Sequence, residues 1–500
     1  MKDRTSEEIA RATVACANEP IRFSGGIQPH GYLFSCDART GIVRHVSANC
    51  GELFECESGV LIGQPVGDFI HLPLPAPELA CASSGEDARY VGSANIGAHA
   101  RFCDVSAHVA QGLLHLEIEP QPVGGAESAV ELVHDMIVRI GIEDGDAERL
   151  HEDVAAHVRR LTGFDRVMVY RFLADGTGEV IAESLAEGVQ SYLGLRYPES
   201  DIPAQARALY LRNRVRVIAS TDYRPSPILP AMLDDGSPLD LSMHGLRSVS
   251  PVHLEYMRNM GMAASMSVSV IVDGRLWGLI ACHHQAPRQL PPRHRTAADL
   301  LGVFYSMRVA AMQHLETATR KTRARAIRTG MLRMLGAIPD PSAYITALLP
   351  ELRQMIPADA VVLVSPGAIA GEGDAVPDVV LADARAWLAR QPDSLAASHL
   401  AGEWQAGAAG AGYAGVLGMR LNEGHEIFLF RRESISEVRW AGEPVKHLAR
   451  TDDGVRLAPR RSFNVWRETV HGQSRPWSQE DIEDADSTTM LLRQALQGMP

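Results

Sequence analysis

The stretch ASMSVSVIVDGRLWGLIACHH, residues 264–284, limits what this chain can become more than any other. A run of alternating small and apolar residues, an Asp-Gly pair and a second strand-forming run define an antiparallel hairpin. Asp273-Gly274 suits this turn because its tight geometry matches strand twist only with positive φ angles. A strand beside WGLIAC belongs inside a sheet. Yet one face of it carries the hydroxyls of Ser265, Ser267 and Ser269, while Met266, Val268 and Val270 take the other. Such a face is either a pocket wall or a solvated surface. The partner strand reaches His283, either a pocket donor or a core histidine with one nitrogen satisfied.

With 500 residues the chain exceeds one ordinary domain, and roughly two to four are expected. Hydrophobic residues at 46% can fill several cores, and the net charge of −13 argues against nucleic acid or an anionic membrane as the main partner. No apolar run reaches the length of a spanning helix, and the start MKDRTSEEIA has no signal core. The reading is a soluble, cytoplasmic protein. Of the seven cysteines, six fall by Cys103 without CxxC spacing, so neither a disulfide framework nor a zinc site is expected and most are read as buried thiols. Cys16 lies in a polar, extended segment, a setting open to a covalent role.

From Ile21 to about Pro120, GYLFSCDARTGIVRHVS predicts a hairpin around Asp37 to Gly41 and GLLHLEIEP a closing strand, together a small sensor-type domain. The stretch 121–128 reads as a linker. Leu150, Val154, Val158 and Leu161 then recur at helical spacing before the strand-like RVMVYRF. A long helix is predicted over about Ala297 to Met331, with apolar Leu300, Leu301, Phe304, Met307, Ala311 and Leu315. Its basic far half, TATRKTRARAIRTG, is a solvated connector or a protein-binding face. A third α/β domain and a closing helix follow. Gly410, Gly412 and Gly415 spell GxGxxG, but they run into a strand-like segment with no strand before them. They are therefore read as a small-residue loop.

Polar chemistry concentrates in PESDIPAQARALYLRNRVRVI, Pro198 to Ile218. Ser200 or Asp201 can cap a helix opened by Pro203, the reading favoured on this motif alone. Alternation along RVRVI puts Arg214 and Arg216 on one face. LRSVSPVHLEY adds Arg247, Ser248 and Ser250, with His253 and Tyr256 on one side of a helical turn. Together these suit a large planar dianion with hydrogen-bonding groups in its middle. Nothing resembles a metal signature, a nucleophile elbow or a paired acid and base, so no enzyme is expected.

PESDIPAQARALY with Arg216, LRSVSPVHLEYMRNMG, SMSVSVIVDGRLWGLIACHH, the early CANEPI and GGIQPHG, and the late PRRSFNVWRE together resemble bacterial phytochromes. These are the biliverdin-binding red and far-red photoreceptors, and the likeness covers essentially the whole chain. It implies an α+β multidomain fold: PAS over 1–125, GAF over 126–315 and PHY over 316–500. Each has a central antiparallel sheet, long helices join them, and a tongue hairpin lies around 440–475. It also implies a figure-of-eight knot, the N-terminal segment passing through the GAF loop 220–245.

The resemblance further implies biliverdin attached at Cys16 through a ring A vinyl group. Arg216 and Arg247 then hold the propionates, with Ser250, Ser265 and Ser267 near them. The backbone of Asp201, beside Ile202, faces the pyrrole nitrogens with His253, leaving the Asp201 side chain to bond elsewhere. Tyr170, Tyr197, Tyr210 and Tyr256 surround ring D, and His283 bonds its carbonyl. Light drives Z-to-E isomerisation. Arg460 pairs with Asp201 in the red-absorbing state and Ser462 replaces it in the far-red-absorbing state. Phe463 and Val465 alternate as in a strand, whereas Phe463, Trp466 and Val470 repeat as in a helix, so this segment can bury an apolar face either way.

Glu199 departs from the family's small residue and is expected to face solvent. Leu195, where some members carry glutamine, favours a red-absorbing resting state. A homodimer and an output domain or response regulator downstream are implied, with no catalytic or metal residues here. A GAF-type sensor of a cyclic nucleotide or a non-covalently held tetrapyrrole is the alternative, and a dimerisation module the third reading.

Overall fold

A computed structural model describes residues 11–15, 18–71, 76–82, 88–121, 147–335, 338, 340–405, 411–422, 424–445, 447–451 and 454–497. Cys16, Gly410 and most of the expected linker lie outside the described residues. By contacts the chain forms two units, Met1–Ala311 with Arg439–Trp466, and Met312–Val438 with Arg467–Pro500.

The first unit opens with β1 (Gly26–Ile27), β2 (Tyr32–Asp37), β3 (Val43–Ser47), β4 (Arg89–Ile96), β5 (Arg101–Ala110) and β6 (Leu113–Pro120). The β2–β3 hairpin turns at the predicted Asp37, whose carboxylate accepts from the Arg39 and Thr40 amides at 3.0 and 2.9 Å. The antiparallel order is β3-β2-β6-β5-β4, over a core that includes Phe34, Val46, Leu116 and Ile118.

The helix Ala147–Thr162 buries Leu150, Val154, Val158 and Leu161, as their spacing predicts. There follow β7 (Arg166–Phe172), β8 (Gly178–Leu185), β9 (Arg196–Tyr197), β10 (Val215–Ile218), β11 (Ser226–Leu229), β12 (Ala264–Val272) and β13 (Arg275–His284). The second sheet runs β10-β12-β13-β7-β8-β9, with the β12–β13 hairpin inside it. Asp273 and Gly274 take φ values of 50° and 72°, the primed turn expected of Asp-Gly.

β11 leaves this domain and joins the first sheet, bonding β3 on one side and β1 on the other. The N-terminal segment thereby lies between the two limbs of the 220–245 loop. The Ile228 amide donates to Gly25 at 3.0 Å on one limb. From the other, the Leu241 amide donates to Arg22 at 2.9 Å, and the Gln28 amide donates back to Leu246 at 2.7 Å. Both limbs of the loop thus bond the N-terminal segment, as the expected figure-of-eight requires.

The long helix spans Pro292–Leu335. Leu301 and Tyr305 are buried, while Leu300 and Met307 are 50% and 64% exposed, so only part of the predicted apolar set is core.

In the second unit, β14 (Ala360–Ser365), β15 (Ala368–Gly373), β16 (Leu395–Ser398), β17 (Tyr413–Arg420) and β18 (Glu426–Arg432) form a sheet of order β15-β14-β18-β17-β16. Gly412 precedes β17 and Gly415 lies within it, paired with Arg431, so no helix follows and GxGxxG is rightly set aside, though Gly415 is strand rather than the expected loop. The basic half of the long helix is not simply solvated. Arg320 pairs with Asp481 at 2.7 Å and Arg328 with Asp484 at 2.9 Å, both on the closing helix Gln479–Gln497.

Four strands lie between β18 and the closing helix: β19 (Ser436–Ala441), β20 (His447–Thr451), β21 (Gly454–Ala458) and β22 (Val465–Val470). β20 and β21 pair as a hairpin, and Trp440 of β19 pairs with Arg196 of β9. No described helix is long and apolar enough to cross a membrane.

Candidate ligand pocket and its arginine latch

A cavity of about 270 Å³ lies in the first unit, walled by β12, β13, β7, the helices Ala204–Arg212 and Pro251–Asn259, residues Glu19 and Ile21, and the segment 457–460. Met168, Val180, Leu209, Met257 and Met260 make its apolar surface.

Strand alternation places the serines only in part as expected. Ser265 and Ser267 line the cavity, but the Ser269 hydroxyl donates to the Tyr210 carbonyl at 2.8 Å and lies outside the lining. The cationic face divides in the same way. Arg214 is held by Asp299 of the long helix through two bonds of 2.8 and 2.7 Å, leaving Arg216 for the cavity.

Arg216 and Arg247 both line the cavity, and among the described residues neither pairs with a carboxylate. Arg216 donates to the carbonyls of Gly245, at 3.3 Å, and Arg247. Arg247 donates to Ile21 at 2.8 Å, and its Nε is buried without a partner. Burial pulls the Arg216 guanidinium below its ordinary value. Burial first and the neighbouring Arg216 charge second bring Arg247 down to about 9. A half-buried and a buried cation facing one cavity, with no carboxylate paired to either among the described residues, store an unfavourable charge that a dianionic ligand relieves. Ser250 also lines the cavity, its hydroxyl donating to Glu19 at 3.1 Å.

His253 and Tyr256 share a helix face, as their spacing requires, with rings 6.0 Å apart and 10° from parallel. Burial lowers His253 to about 4 and His283 to about 3, so both imidazoles are neutral. His283 lines the cavity with Nδ1 buried and unpartnered. Tyr170 and Tyr197 meet edge to face at 5.8 Å, and the Tyr197 hydroxyl is likewise buried without a partner. Gly178 makes room for Tyr170, since a Cβ there would lie 1.9 Å from the ring. Ile202 and Tyr210 also line the cavity.

Asp201 does not cap the helix. It ends a 3-10 turn, Glu199–Asp201, and Pro203 rather than an oxygen-bearing side chain stands at the N-cap of Ala204–Arg212. The carboxylate turns inward, accepts from the Tyr256 hydroxyl at 3.0 Å and lies 3.4 Å from the Arg460 guanidinium. Burial raises its pKa above the usual carboxylate value despite Arg460 and Tyr256. Arg207, which sequence reasoning passed over, fixes this turn by donating to Ile202 at 2.7 Å and Gly176 at 2.6 Å. Nothing in its local sequence separates it from a solvated helix arginine. Glu199 is exposed, as expected, and Leu195 is buried.

Arg460 also donates to the carbonyls of Ala441 and Gly442, and its own carbonyl accepts from Asn259 at 3.0 Å. Phe463 is buried edge-on against Tyr256 at 5.1 Å. Ser462 is exposed, and the segment from Val465 is the strand β22, but Val465 is 44% exposed while Trp466 is half-buried, so the strand does not bury the predicted Phe463 and Val465 face; Phe463 precedes β22 and is buried on its own.

Residues 16–121 match a family model described as a PAS fold, 146–310 a GAF domain, and 324–499 a phytochrome region. The chain is 36% identical over 506 residues to a bacteriophytochrome of Pseudomonas aeruginosa, covering 97% of this chain and 67% of that one. It is 34% identical over 510 residues to a bacteriophytochrome of Xanthomonas campestris pv. campestris, covering 95% and 78%. Among solved structures, it resembles a bacteriophytochrome from the photosynthetic bacterium R. palustris, with a TM-score of 0.82 and 33% identity over 97% of this chain and 99% of that one. It also resembles the phytochrome photosensory core module of Stigmatella aurantiaca, with a TM-score of 0.78 and 34% identity over 96% and 97%.

Proposed function

From the premise that this chain belongs to the phytochrome family of photoreceptors, we propose that its pocket holds biliverdin joined to Cys16, and that light absorbed there is reported through the tongue. The observation that carries this reading is the pair of arginines, half-buried Arg216 and buried Arg247, neither paired with a carboxylate among the described residues. A linear tetrapyrrole with two propionates fits them, and its ring edges fit the orphaned His283 Nδ1 and Tyr197 hydroxyl. The bound pigment supplies red-light absorption and the double bond that isomerises from Z to E.

The protein's own groups bind, orient and relay. Arg216 and Arg247 take the propionates, assisted by Ser250, Ser265 and Ser267. The Asp201 backbone, Ile202 and His253 face the pyrrole nitrogens. Tyr170, Tyr197, Tyr210 and Tyr256 enclose ring D, and His283 donates to its carbonyl. The Asp201–Arg460 pair and Phe463 hold the tongue in strand form. Breaking them favours the helical pattern of Phe463, Trp466 and Val470, with Ser462 taking Arg460's place. Driving such an element from mostly one form to mostly the other takes about 5.5 kcal/mol, and one buried ion pair, at about 3–5 kcal/mol, is of that order. The strand form and the buried Leu195 support a red-absorbing resting state.

Two observations support attachment at Cys16. Glu19 lines the cavity, and three residues span at most roughly 10 Å. Of the other cysteines, Cys36, Cys50, Cys103 and Cys282 are buried and Cys56 and Cys81 are exposed, none lining the pocket. We place the domain boundaries near residues 125 and 315, with a cytoplasmic homodimer formed through the long helices, where Leu300 and Met307 are exposed. The chain spans about two thirds of the Pseudomonas relative, and an output domain or response regulator is placed downstream.

The test is to load the chain with biliverdin, denature it, and look for zinc-induced fluorescence on the polypeptide. Labelled wild type and unlabelled Cys16→Ser are expected. Absence of pigment uptake favours a sensor of another ligand.

A further inference from the structure

Three histidines meet where the 220–245 loop closes on the first sheet. His108 of β5 and His115 of β6 are direct cross-strand partners and so share a face, and His244 approaches them from the loop. Ring centroids lie 4.8 Å apart for His108 and His115, 4.4 Å for His108 and His244, and 4.6 Å for His115 and His244. None is more than 1% exposed. Among the described residues, both nitrogens of His108 and both of His244 lack a hydrogen-bond partner. Buried polar atoms are nearly always paired, so four orphans in one cluster require an explanation.

We propose that His108, His115 and His244 bind a transition-metal cation of the zinc class, which ties the loop to the first sheet and secures the segment threaded between them. One nitrogen from each residue lies within 4.8 Å of the others. A closure of roughly 1 Å brings them to the ~2.0–2.1 Å of a zinc–imidazole bond. His115 already has the outer support such ligands use. Its Nε2–H donates to the Ala110 carbonyl at a long 3.3 Å and its Nδ1 lies 2.8 Å from the Ser35 hydroxyl, so moving the ring proton to Nδ1, where Ser35 can accept it, frees Nε2 for the metal. Three imidazoles suit zinc, copper or nickel rather than magnesium or calcium, and water supplies the fourth position. The Asp240 carboxylate favours a cation at His115, whereas the Arg247 guanidinium disfavours one at His244.

Pigment-free chain, stripped with a chelator, is titrated with Co²⁺ and then Zn²⁺; leaving biliverdin out prevents zinc from binding the pigment instead. The expected result is one equivalent of cobalt with visible ligand-field bands, displacement by zinc, and a zinc-dependent rise of several degrees in melting temperature. His244→Phe and His108→Gln each abolish the bands and the rise, whereas Cys16→Ser keeps both. Wild type without bands or a zinc-dependent shift overturns the site, as do both histidine variants behaving like wild type. If one variant fails to fold, the other and the wild-type titration still decide.

Discussion

Replacing Arg460 by alanine is expected to uncouple the tongue from the pocket and to destabilise the strand form by roughly 3–5 kcal/mol, the range for removing one partner of a buried pair. The side chains of Arg460 and Asp201 are 9% and 11% exposed, so water shields the pair little. The loss extends beyond the carboxylate, because the same guanidinium holds the carbonyls of Ala441 and Gly442. Proton uptake limits the penalty. Asp201 is already held above the ordinary carboxylate value by burial, and without Arg460 it keeps only the Tyr256 hydroxyl and neutralises more readily. Asp201→Asn removes the charge while keeping the shape, so the double variant should cost less than the sum of the singles. Denaturant unfolding measures the energies, and hydrogen exchange over residues 439–466 measures the tongue. Unchanged exchange and an unchanged photocycle in Arg460→Ala would move the coupling elsewhere.

The second large effect is acid destabilisation of the pigment-free chain by its pocket histidines. Burial depresses His253 to about 4 and His283 to about 3, against roughly 6.5 in an unfolded chain. Above pH ~6.5 neither state carries the protons. As pH falls from there towards 4, the unfolded chain binds them and the folded chain does not, so stability drops through that window. At about 1.4 kcal/mol per pKa unit, the two groups together account for several kcal/mol. The variant His253→Gln/His283→Gln should match wild type in its pH profile near pH 7 and retain progressively more stability below pH 6. Parallel profiles down to pH 4 would mean that these imidazoles are not buried neutral.

Much of the fold was legible because local periodicity decides local structure. Leu150, Val154, Val158 and Leu161 bury one helix face, and Asp273-Gly274 turns the hairpin. Where the sequence reading went astray, a distant partner had taken over. Arg214 shares strand parity with Arg216, but Asp299 holds it from 85 positions away. Ser269 continues the serine stripe yet bonds the Tyr210 carbonyl. On its motif alone Asp201 reads as a helix cap, the commonest use of such a residue before a helix, and only the family resemblance points to its pairing with Arg460, which the structure shows at 3.4 Å. Its actual partners, Tyr256 and Arg460, are distant in the chain. The donation of β11 to the first sheet and the meeting of His244 with His108 and His115 leave no periodic trace, because each depends on loop closure. Cys16 lies outside the described residues, so its role rests on the family likeness and on the position of Glu19.

The most direct measurement is the absorption spectrum of biliverdin-loaded chain under alternating red and far-red illumination. The account predicts a reversible difference spectrum over repeated cycles, with exchange in the tongue switching in step and both weakened together in Arg460→Ala. A pigment that binds but whose spectrum stays fixed under both lamps would contradict it.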